Sequence, residues 1–279
     1  MLKYYAAALL ALISGIALFW SSLSFAVANA PAVLTDVKIQ KGLSYGEKPW
    51  QKLDVYMPPD ASENTPVIVF FYGGRWSSGE KEQYKFVALT LAGLGYKVVV
   101  PDYAKYPDVK FPAFVEDGAR AVSWAYDHIS KKVYVVGHSA GAHMGALIAS
   151  DPAYLGALQK DRSAIVAFAG LAGPYAFEPD EPDLQDIFGP PERYPLMQVP
   201  TFIDGKQPPM LLLHGDEDKD VVLSNLTRLK DEIDDKGGIV ETKIYPGFDH
   251  IKILAAFSWV WKDKASVAED INTFFRKYE

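Results

Sequence analysis

The 279-residue chain contains no cysteine. That absence removes structural disulfides, a thiol nucleophile and every cysteine-ligated zinc or haem site. Histidine is scarce: His128, His138, His143, His214 and His250 must carry any imidazole chemistry. No pair of them has metal-ligand spacing, since His138 and His143 do not stand at the i, i+4 of H-E-x-x-H, and no metal or cofactor is expected. Phosphate-gripping runs of Lys and Arg are missing as well. With 28 basic against 35 acidic residues and a net charge of -7, nucleic acid is not an expected partner. There is no internal repeat and no low-complexity tract. What the chain does have is a 49% hydrophobic composition, enough to bury a large core, and a length that fits one α/β domain.

Charge is also absent from the N-terminus, where nothing ionisable but tyrosine lies between Lys3 and Asp36. Such a stretch reads as an export signal before it reads as a fold element. Ala26 and Ala28, or Ala28 and Ala30, fit the A-x-A cleavage pattern; Pro31 directly after the second site disfavours it, so cleavage is expected near Ala28. A competing reading keeps the run as an uncleaved anchor, since it approaches the ~20 residues that span a bilayer. A buried core helix is a third. Residues 1–30 are thus assigned to a signal and 31–279 to an exported domain, periplasmic or secreted, with no stable membrane association once the signal is removed.

Beyond it, short apolar runs alternate with longer helical patterns, the mark of βαβ units around a mostly parallel sheet. Strands are expected at 36–40, 53–57, 67–72, 97–100, 133–136, 164–169, 210–213 and 242–245, and helices at 83–94, 114–130, 140–149, 221–235 and 266–277. Most of the later strands are continuous apolar runs, as strands buried on both faces require. Residues 174–209 break the rhythm with Pro, Asp and Glu, and are expected to form a lid-like insertion or a plain surface excursion.

Gly137, His138, Ser139, Ala140 and Gly141 form G-x-S-x-G between an expected strand and an expected helix, the context of a nucleophile elbow. A serine hydroxyl is a poor nucleophile near neutrality, so the chemistry needs a general base and a group that fixes the base's tautomer. For this fold the chain order is Ser, then acid, then His. "LLLHGDEDKDVV" offers Asp216, Asp218 and Asp220 after a buried strand, and "GFDH" offers His250 after the last one. Both loops follow the carboxyl ends of parallel strands, where open α/β sheets place their sites. His138 and His143 lie too close to Ser139 in sequence to act as its base, and packing around the elbow is their expected role. His128 reads as a solvated helix end, and His214 as a residue shaping the acid loop. His250 remains. A tetrahedral intermediate also needs preorganised N–H donors; Gly73 and Gly74 after an apolar strand, and the amide of Ala140, are candidates.

These segments together resemble the α/β-hydrolase carboxylesterases, small bacterial esterases with an H-G-G-x-W oxyanion loop. The likeness rests on "LDVYMP", "YGGRWSSGEK", "PDYAKYP" with "FPAFVEDGARAVSW", "GHSAGAH", "LLLHGDEDKDVV" and "GFDH", in that order. Kynurenine formamidases and some carbohydrate esterases look similar. The resemblance implies a Ser139–Asp218–His250 triad, with Asp218 falling on the H-G-x-x-D acid, and oxyanion donors at Gly74, Arg75 and Ala140. It also places Tyr72 and Trp76 at the substrate. The chain departs from the pattern in having Tyr72 where His is usual and Arg75 where Gly or Tyr is often found. Arg75 is expected either to attract an acid group on the substrate or to point to solvent. The function implied is hydrolysis of a small-molecule carboxylic ester through an acyl-enzyme. The alternatives are an amidase or arylformamidase on the same triad and a non-catalytic binding protein of this fold.

Overall fold

Five runs that are apolar but for Lys97, His138 and His214, namely VIVFF, KVVVP, VYVVGH, IVAFAGL and MLLLHG, set the architecture, because strands of this composition are stable only when both faces are covered. In a computed structural model, which describes residues 24–30 and 35–279, they form the middle of an eight-stranded sheet. The strands are β1 (Lys38–Ser44), β2 (Lys52–Met57), β3 (Val67–Phe71), β4 (Lys97–Pro101), β5 (Val133–His138), β6 (Ile165–Leu171), β7 (Met210–Gly215) and β8 (Val240–Tyr245). Their order is β1-β2-β4-β3-β5-β6-β7-β8. Pairing is antiparallel from β1 to β2 and from β2 to β4, and parallel from β4 onward. The two outer strands are the polar ones, KIQKGLS and VETKIY, as edges exposed to water demand.

The crossovers are helical. Lys85–Gly93 packs on β4, and Ala140–Ser150, buried at every residue, packs on β5 and β6. Ala113–His128, Ser224–Asp235 and Val267–Phe275 have one apolar face each, and bury Phe114 and Val122, Leu226 and Leu229, and Ile271 and Phe275 respectively. The insertion expected at 174–209 is built of short pieces, a helix at Pro182–Phe188 and 3-10 turns at Pro191–Leu196 and Val199–Phe202. Ile187, Phe188, Met197 and Val199 tie it to the core at 1% exposure or less, so these side chains anchor the segment rather than trail over the surface. Of the expected export signal, residues 1–23 lie outside the described residues. Residues 24–29 are helical and lie against the domain.

Candidate active site

The loops that follow β3, β5, β7 and β8 all leave the carboxyl ends of parallel strands, which brings Ser139, Asp218 and His250 together. Ser139 sits between β5 and the helix that starts at Ala140, with φ 54° and ψ -124°. That is a costly conformation for a residue with a Cβ. Its neighbours explain how it is held. A Cβ on Gly137 would lie 2.4 Å from the Gly141 carbonyl oxygen, and one on Gly141 would lie 2.2 Å from that of Phe71. The two glycines let strand and helix pack backbone to backbone, and the serine is squeezed outward between them.

His250 Nδ1 is 2.8 Å from Asp218 Oδ2, and Nε2 is 2.8 Å from Ser139 Oγ. A carboxylate only accepts, so Nδ1 carries the proton and Nε2 presents its lone pair to the serine hydroxyl. The Asp218 side chain is wholly buried, and its second oxygen accepts from the amides of Asp220 and Val221. Burial alone would raise this carboxyl, but the hydrogen bonds from His250 and Val221 outweigh it and leave it below the usual carboxylate range. The other two aspartates have different partners: Asp216 accepts from the Gly247 amide at 2.7 Å, bracing the acid loop against the base loop, and Asp220 is exposed. Carboxylate oxygens of Asp218 and Asp220 and a His250 nitrogen lie within 4.8 Å of one another, a spacing a cation can use. Both ring nitrogens are already committed, to Asp218 and Ser139, so a metal there would dismantle the relay.

The oxyanion loop lies directly against the nucleophile: a Cβ on Gly73 would approach Ser139 Cβ to 2.9 Å. Gly74, Arg75 and Trp76 run through positive φ in succession, at 128°, 51° and 58°. Ala140 opens its helix, so its amide is among the first-turn N–H groups with no intrahelical acceptor, on the favourable end of the helix dipole. Arg75 neither points freely to solvent nor stands ready for a substrate anion. It is half exposed and pairs with Glu181 and Asp183 of the insertion at 3.0 Å each. Trp76 lines the cleft from a buried position among Phe177, Phe188 and His143.

Tyr72 corrects one expectation. It does not reach the cleft but is completely buried, stacked between Tyr84 and Tyr103, and its hydroxyl donates to Asp102 Oδ1 at 2.7 Å. Asp102 also accepts from the Lys81 amide at 2.9 Å and faces Lys81 Nζ at 3.3 Å, while Tyr103 donates to the Tyr72 carbonyl at 2.8 Å. Sequence reasoning missed this brace. Its signal was the presence of "GEK" and "PDY" among the ordered segments with no role attached.

His138, His143 and His214 share one arrangement. Each is buried, each Nε2 meets a backbone carbonyl (His250, Met197 and Val221) and each Nδ1 is unpartnered among the described residues. A carbonyl requires a donor, so the proton is on Nε2 and the rings are neutral. Burial pushes His138 down to about 3, with His250 adding to it, and His143 to about 4; burial lowers His214 also. His138 therefore does more than pack. It hydrogen-bonds the base's own carbonyl at 3.0 Å, with ring centroids 4.9 Å apart.

Comparison with known proteins bears on the fold. The BD-FAE family model matches residues 53–172. Kynurenine formamidase of Danio rerio is 38% identical over 109 residues, covering 38% of this chain and 37% of that protein. An isoprenylcysteine alpha-carbonyl methylesterase of Arabidopsis thaliana is 25% identical over 249 residues, 78% of this chain and 57% of that protein. The chain thus spans less than two thirds of either relative. Esterase B of Lactobacillus rhamnosis superimposes with a TM-score of 0.76 at 18% identity, over 98% of this chain and 96% of that one. With the sheet order, the strained serine between β5 and its helix, and the superposition in agreement, the chain has the α/β-hydrolase fold.

Proposed function

We propose that the protein is a serine hydrolase that cleaves carboxylic esters of small molecules. The observation that carries the reading is the unbroken relay from Asp218 through His250 to Ser139, with both contacts at 2.8 Å. Ser139 Oγ attacks the ester carbonyl carbon while its proton passes to His250 Nε2. The carbonyl oxygen becomes an oxyanion facing the amides of Gly74, Arg75 and Ala140. Collapse expels the alcohol, which takes the proton from His250 and leaves an acyl-Ser139. Water then repeats the sequence, giving up a proton to His250 and releasing the acid. Trp76, beside the nucleophile loop, is placed to contact the substrate. A binding-only role leaves this relay without a purpose.

An amide or formamide can follow the same steps, and the 38% identity to a kynurenine formamidase supports that second reading. The apolar, nearly uncharged N-terminus supports export, with cleavage near Ala28 or retention as an anchor. Among the described residues, no helix is long and apolar enough to cross a membrane.

Hydrolysis of p-nitrophenyl acetate and of a matched formanilide by the wild type and Ser139→Ala tests the proposal. The expected result is a loss of more than about a thousandfold in the variant with its fold retained. Turnover close to wild type removes the nucleophile assignment. Exhaustive chelation should leave the rate in place, since the proton transfers need no Lewis acid; a loss that zinc restores overturns the reading.

A further inference from the structure

The catalytic serine opens into a cavity of about 1620 Å3, well beyond the ~300–1000 Å3 of an ordinary small-molecule site. Its mixed lining includes two groups of side chains of opposite chemistry. One comes from the oxyanion loop, the insertion and the acid loop, and carries Arg75, Glu178, Asp180, Glu181, Lys219 and Asp220. The other is apolar, with Phe25, Val27, Tyr84, Phe86, Leu254 and Trp261. The N-terminal segment is tied to this wall. Phe25 packs edge-on to Tyr84 at 5.3 Å, the Val27 carbonyl accepts from Trp259 Nε1 at 2.9 Å, and Asn29 holds the segment by accepting from the Phe86 amide and donating to the Gln83 carbonyl.

A second observation points the same way. Val27, Val222, Ile251 and Val260 line the cavity yet remain between 44% and 61% exposed. Large apolar side chains scattered singly over a surface need no explanation, but a group of them rimming a cleft marks a place where an apolar partner binds.

We infer that the apolar wall is the seat of a hydrocarbon chain, and that the substrates are esters carrying a medium-length alkyl or acyl group rather than acetyl esters of sugars. This rests on the ester-hydrolase reading above. The chain lies along Tyr84, Phe86 and Leu254, with Phe25 and Val27 as the outer side of the wall, while the ester carbonyl stays at Ser139. Cleavage near Ala28 removes Phe25 and Val27 but leaves Tyr84, Phe86, Leu254 and Trp261, so the seat survives processing and becomes wider.

The test uses the chain as it is produced, with p-nitrophenyl esters from acetate to dodecanoate. Ala255 lines the same cavity next to Leu254. The ratio of kcat/KM for octanoate to that for acetate should exceed tenfold, and Ala255→Trp, which places an indole in the seat, should cut it at least tenfold. Because that variant can fail to fold, inhibition by n-alkylboronic acids is measured on the wild type as well. Affinity should tighten from ethyl to octyl by up to about fourfold per methylene buried. A flat chain-length profile together with boronate affinity independent of chain length overturns the hydrocarbon seat while leaving the esterase reading intact. Failure to hydrolyse any ester, acetate included, overturns the esterase reading itself.

Discussion

Besides the His250–Ser139 contact, a hydrogen bond from His138 Nε2–H to the His250 carbonyl ties the serine's turn to the loop of His250. His138 does not touch the reacting atoms; it is a positioning residue. His138→Phe keeps the ring volume and loses the donor, and is expected to lower kcat about tenfold with KM little changed, a split that a general loosening of the fold would not produce. His138→Gln, whose amide can still donate, should recover part of the loss. The acid is tested in the same way. Asp218→Asn should reduce kcat far more than Asp216→Asn or Asp220→Asn, because only Asp218 fixes the His250 tautomer; a larger loss at either neighbour shifts the acid role there.

The oxyanion loop is an element held from beneath. Lys81 is buried and within 4 Å of Asp54, Glu82 and Asp102, and Asp102 in turn accepts from the Tyr72 hydroxyl. Asp102→Asn keeps the shape and removes a charge. Its expected cost is about 1–3 kcal/mol in stability, measured by urea unfolding, together with a fall in kcat on acetate esters as the loop loosens. This brace also shows where the sequence was legible and where it was not. The strands and long helices could be read because burial on two faces, or on one stripe, leaves a pattern in consecutive residues. Ser139, His250 and the acid loop could be singled out because chain order and strand-end placement narrow the choices, whereas Asp218 among its neighbours rested on the resemblance alone. Neither device reveals that Tyr72 points away from the substrate, since nothing local distinguishes a tyrosine that lines a cleft from one stacked between Tyr84 and Tyr103. The helix at Pro182–Phe188 was invisible for a related reason: at seven residues it is too short to establish a period. The expected start of β1 at Asp36 ran two residues early and its end fell short of Ser44, because a polar edge strand carries no apolar signal.

At the scale of the whole molecule, the three buried neutral histidines set its response to acid. Each is held below its unfolded value, so between pH ~6.5 and the folded values the unfolded chain binds more protons and stability falls as pH falls. The depressed carboxyl of Asp218 acts in the same direction lower down, where its contribution is lost on protonation. Urea midpoints should therefore decline steadily from pH 6.5 toward 4, and less steeply in His143→Phe; an unchanged slope in that variant assigns the acid response to other groups. The triad has a kinetic counterpart. Ser139 and His250 are 111 residues apart in sequence, and their contact requires β5, β7 and β8 to be already in register. Pairings of such long range form late, after the entropy of closing the intervening loops has been paid. On dilution from denaturant, backbone circular dichroism should recover first and hydrolysis should lag behind it, so the last event of folding is the one that switches the catalyst on.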